Sequence, residues 1–269
     1  MASASHHLTE QQRVDQDRFR GHRGGVISMH RAMGHFHLGP MNLLVAIALC
    51  VAFSALWLLV LPYVCLFWRW LLVAGLHSLP LSAQLDAVTW HHGFLKLAIP
   101  CLREAPVLPG FQIWLWNCLV TAGLFAATYL VPKHMVPIVY LSRAILLVHV
   151  TACVYFAVWP SQFPHTPDSY LQGLMFSSIA IVTVVPLVLG FTYYIFDFGI
   201  LRKAFLTGLT MAYLALFVPF QVLFQALFLQ KTVLYMPLLY IIFAMPADVM
   251  IIVAFYSWGM TWKFRERQR

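Results

Sequence analysis

Charge is what this chain has least of. Only 10% of its 269 residues are Asp, Glu, Lys or Arg, against roughly 25% in an ordinary soluble domain. That deficit, with 61% hydrophobic residues, excludes a water-soluble globule. Asparagine is nearly missing too, with Asn42 and Asn117 alone, and neither begins an Asn-x-Ser/Thr sequon. The five cysteines include no CxxC pair and no zinc-ligand spacing, and four of them lie in apolar runs, where Cys acts as a small hydrophobe. Ser177 and Ser178 lack a GxSxG setting. No Gly-rich loop is present to cradle phosphate, and the single histidine deep in an apolar run, His149, does not make a bis-histidine haem site. No metal and no cofactor is expected.

What is present is a series of long apolar runs. A bilayer is crossed by about 20 apolar residues, and the runs predict six spans, at about 41–63, 111–131, 136–159, 172–196, 204–229 and 233–262. The expected fold is therefore an all-α polytopic membrane protein. The first run continues past residue 63 as CLFWRWLLVAGLH, read as a tilted or interfacial helix beyond a kink near Pro62. Residues 78–109, with Pro100, Pro106 and Pro109, form the largest loop and read as an extended, strand-like cap. Residues 1–40 are polar, with Arg13, Arg18, Arg20, Arg23 and Arg31 and six histidines. They read as a retained, disordered cytoplasmic tail of solvated histidines. Residues 263–269 form a basic tail behind an aromatic belt at Trp258 and Trp262.

The net charge of +8 points to orientation in a membrane, not to nucleic acid. With six spans, the five tail arginines, Lys133, Arg202, Lys203, Lys263, Arg265, Arg267 and Arg269 fall on one side. Arg69, Lys96, Arg103 and Lys231 fall on the other. A bias of twelve to four predicts both termini in the cytoplasm. The expected location is a bacterial inner membrane, with bilayer lipid and a membrane or periplasmic protein as partners.

Two constellations carry candidate chemistry. Asp248, in the last span behind Pro246, is the costliest residue in the chain, because a charge at bilayer depth needs a partner or water. Counting along the spans places His149 at similar depth, Arg143 about two turns nearer the cytoplasm, and Asn117 and Gln221 in the same broad layer. Such a cluster serves either as adhesion between helices or as an ion or proton relay. The prolines at 186, 219 and 246 bend the last three spans. The second constellation is at the outer face: Cys101 with Arg103, and His91 or His92 upstream. A Cys–His–Arg nucleophilic site is one reading, and a disulfide from Cys101 to Cys65 is its competitor. Adjacent His91 and His92 on a strand would point to opposite faces and so would not share a metal.

The leading expectation is a non-catalytic membrane subunit or assembly factor of an envelope complex, contacting partners through its helices and the 78–109 loop. The alternative is a secondary transporter or channel with an Asp248/His149 relay. A membrane enzyme using Cys101 with His91 or His92 is third.

Overall fold

In a computed structural model the described residues are 40–92, 95–132, 135–195 and 199–261. The N-terminal tail, Lys133, Asp197, Trp262 and the basic C-terminal tail lie outside them, as does most of the charge bias.

The first helix, α1, runs unbroken over Pro40–Ser78. Its 39 residues measure about 58 Å at 1.5 Å per residue, nearly twice a hydrocarbon core of about 30 Å. A kink near Pro62 with the helix continuing beyond it was expected, and the helix does pass through Pro62 without stopping. Packing explains the continuity: Trp57, Leu61, Cys65, Trp68 and Leu72 recur every three or four residues and are all buried, forming one apolar stripe across the proline.

After α1 the chain departs from the all-α expectation. Strand β1 (Gln84–His92) pairs antiparallel with β2 (Leu95–Arg103), in a register running from Gln84 opposite Arg103 to His92 opposite Leu95. Alternation places Leu97, Ile99 and Cys101 in the core. The β2 strand lies against α1 and against α4 (Pro167–Ile195), and β1 is the outer strand. Val88, Thr89, Trp90 and Ile99 are the β-formers of this hairpin, and Pro100 bars a helix through β2.

Between hairpin and α4 come α2 (Phe111–Ala127) and α3 (Val136–Val158). Then follow α4, α5 (Ile200–Leu229), α6 (Met236–Phe243) and α7 (Met245–Met260). The last expected span is thus two helices, parted at Ala244 (φ −82°, ψ −136°). Pro246 accounts for the break: it has no N–H for the Ile242 carbonyl four residues back and its ring clashes with that carbonyl, whereas in the first turn of α7 the missing N–H costs nothing.

Among the described residues, five apolar helical stretches are long enough to cross a membrane, with α6 and α7 taken together as one; α2 is shorter. The chain is a mostly helical, multi-pass membrane protein in contact with bilayer lipid. The main core lies between α1, α4, α5 and the hairpin, and α5 is its most enclosed helix. Close approach is built in at Gly190, where a Cβ would stand 2.1 Å from the Cys50 sulfur. The Cys50 thiol donates to the Pro186 carbonyl at 3.0 Å. A carbonyl freed by a proline is satisfied as well. Pro219 leaves the Ala215 carbonyl without its helical donor, and Trp68 Nε1 donates to it at 2.6 Å.

Candidate functional site

The polar residues of the spans do not gather into one cluster. Arg143 turns to α2, where Nε donates to Thr128 Oγ1 at 2.9 Å. Its guanidinium lies 4.4 Å from the Tyr129 ring centroid, a cation–π contact. His149 is buried and stacks on Tyr235 at 6.3 Å between centroids. Asn117 Nδ2 donates to the Ile113 carbonyl at 2.7 Å and to the Tyr235 hydroxyl at 3.3 Å. His149, Asn117 and Tyr235 share an open cleft of about 300 Å³. Tyr235 precedes Asp248 by roughly 13 residues, about 20 Å of helix. No hydrogen bond or ion pair links Asp248 to His149 or Arg143 among the described residues. Equal depth along separate helices did not bring these side chains together, because α3 packs on α2 and α6 while Asp248 faces α4 and α5.

Asp248 has different neighbours. Helices α4 and α5 run antiparallel. Near one end the Tyr170 hydroxyl donates to Gln225 Oε1. Near the other, Lys203 Nζ donates to the Tyr193 carbonyl at 3.1 Å and the Thr207 hydroxyl to the Tyr193 hydroxyl at 3.2 Å. This register sets Ser178 level with the stretch from Val218 to Gln221. Helices α5 and α7 are antiparallel as well. Gln225 Nε2 meets the Phe243 carbonyl at 3.5 Å, Tyr213 and Phe255 rings lie 5.2 Å apart, and Gly259 lies against Leu206. That register puts Asp248 beside the same turn of α5. Ser178, Gln221 and Asp248 therefore occupy one layer of the α4–α5–α7 core, at 1%, 2% and 2% exposure. Ser178 Oγ, both Gln221 amide atoms and both Asp248 oxygens have no hydrogen-bond partner. A buried polar atom left so costs about 1–3 kcal/mol, and a charged one more.

The hairpin separates the other constellation. Cys101 stands opposite Asp86, whereas His91 stands opposite Lys96 and His92 opposite Leu95. Five residues of strand, about 17 Å, lie between Asp86 and His91. Cys101 is buried, and burial pushes its thiol up to about 11, with Asp86 adding to the effect. A reactive thiol requires the opposite shift. Arg103 is engaged with Asp86 at 2.5 Å. Cys101 and Cys65 sit in the same apolar cluster as free thiols.

Among the buried polar groups that escaped the sequence reading are Lys203, Ser178 and Glu104. Lys203, expected in a cytoplasmic loop, is 1% exposed in the first turn of α5. Its signal was a polar stripe at helical spacing: Lys203, Thr207, Thr210, Gln221 and Gln225 are all buried on α5. Ser178 was weighed only as a nucleophile. Glu104, after β2, is buried with both carboxylate oxygens unpartnered. Its carboxyl is pushed up to about 7 by burial and then by the charge of Asp168, whose carboxylate accepts from the Glu104 backbone N–H at 2.5 Å.

No protein-family model matches the chain, and no curated protein or solved structure matches it either.

Proposed function

We propose that the chain is a non-catalytic membrane subunit or assembly factor that presents its hairpin to a protein partner. The reading includes a sixth span at α2, both termini in the cytoplasm and a bacterial inner membrane. The observation that carries it is the hairpin's construction. Its β2 strand is fixed to α1 and α4, while β1 is the outer strand of a two-stranded sheet. An open strand edge holds unpaired N–H and C=O groups, which hydrocarbon does not tolerate. The hairpin therefore belongs outside the hydrocarbon, where such an edge recruits an added strand. Ala87, Thr89 and Trp90 of β1 are exposed. The test places a photo-crosslinking residue at Thr89 in cells and purifies the protein in mild detergent. One stoichiometric partner, crosslinked from β1 and lost on Trp90→Lys, supports the reading. Crosslinks to lipid alone contradict it.

A second reading, a secondary transporter or channel, draws on the Ser178–Gln221–Asp248 layer beside a broken helix, a setting typical of transporter binding sites. It predicts ion-coupled uptake in proteoliposomes that Asp248→Asn abolishes.

A further inference from the structure

Ser178, Gln221 and Asp248 offer a carboxylate, an amide carbonyl and a hydroxyl from three helices, all within one enclosed layer. Neither the Asp248 carboxylate nor the Gln221 amide has a hydrogen-bond partner. Adhesion between helices through satisfied hydrogen bonds does not describe this layer. We propose that it binds a single monovalent cation of the sodium class, at the break between α6 and α7.

The donor chemistry selects the ligand. The side-chain oxygens are hard donors suited to a hard cation, with no imidazole or thiolate among them to favour a transition metal. Asp248 supplies one negative charge. A monovalent cation neutralises it, whereas a divalent cation would leave a net charge in a medium where charge is costly. The break contributes further acceptors. Pro246 has no N–H to give the Ile242 carbonyl, and the last carbonyls of a helix carry its negative end. The Phe243 carbonyl is already committed to Gln225, which marks the polar layer's boundary on the side of Tyr170. This inference does not depend on the hairpin partner, and either holds if the other fails.

The test uses the full chain in lipid nanodiscs and measures equilibrium binding of radioactive sodium, with choline chloride holding ionic strength constant. The expected result is saturable binding of one sodium per chain, displaced by lithium and unaffected by choline. Asp248→Asn should weaken it by about 100-fold, and Ser178→Ala, which removes one neutral donor, by about 10-fold. Gln221→Glu adds a second charge and should turn the preference toward calcium. That gain keeps the proposal falsifiable if the Asp248 variant fails to fold. Absence of saturable sodium binding overturns the proposal. So does binding of equal strength in Asp248→Asn, or an unchanged ion preference in Gln221→Glu.

Discussion

Lys203 and Asp248 are both nearly sealed from solvent, at 1% and 2% exposure, and both face the same helix bundle. Their surroundings are opposite. Lys203 gives its ammonium to the Tyr193 carbonyl, and Thr207 continues the network to the Tyr193 hydroxyl. It also lies in the first turn of α5, close to a helix end. Asp248 lies beside the middle of the same helix, with both oxygens unpartnered. Burial alone therefore does not distinguish a functional charge from a structural one. Whether the protein itself completes the polar group is the informative difference. Elsewhere in the core it does so even for backbone, as Trp68 shows by bonding the carbonyl that Pro219 frees.

Variants on the completed side should cost most. Trp68→Ala removes a fully buried indole and reopens the Ala215 carbonyl. A loss of about 3–5 kcal/mol is expected, readable as a fall in denaturant or thermal midpoint in detergent micelles. Lys203→Met keeps the length of the side chain but removes the hydrogen bond to the Tyr193 carbonyl, for a loss of about 1–3 kcal/mol by the same assay. An unchanged midpoint in Lys203→Met would erase the contrast with Asp248.

Glu104 offers a test outside the spans. Its carboxyl is raised from the ordinary 4.5 to about 7 in the fold. An acid raised by folding binds its proton more tightly in the native state, so it favours the fold at low pH. Stability from this group is fullest below 4.5 and is lost as pH rises through about 7. Thermal midpoints should therefore rise as pH falls from about 8 to about 5, and Glu104→Gln should flatten that slope. A slope unaltered in the variant would assign the effect to other groups. The smallest change is expected for Asp248→Asn in sodium-free buffer, because it removes a buried carboxylate that no hydrogen bond in the protein satisfies. A shift within about 1 kcal/mol, or a modest gain, is predicted.

Much of the architecture was legible. Long apolar runs announced the membrane helices, and the prolines and β-formers of 78–109 announced an extended cap. The break at Ala244 was foreshadowed only as a bend at Pro246, because a proline's local effect depends on what packs around it: Pro62 leaves α1 unbroken. The site was less legible. Depth counted along a helix says nothing of which face a residue presents or which helix lies opposite. Asp248 was singled out by its cost, but its layer mates came from contacts between α4, α5 and α7 that no local pattern encodes. His149, matched to it in depth, stacks on Tyr235 instead, and Arg143 is held by Thr128 and Tyr129. The Cys101 constellation failed on strand register, which one sequence does not fix when the turn is unknown.

The claim that the Asp248 layer is completed by a bound cation is tested most directly by thermal unfolding in two salts of equal ionic strength. A ligand that binds only the folded state raises its stability with concentration. Wild-type protein should melt at a higher temperature in sodium chloride than in choline chloride, while Asp248→Asn should melt at the same temperature in both. Equal melting of the wild type in the two salts would contradict the account.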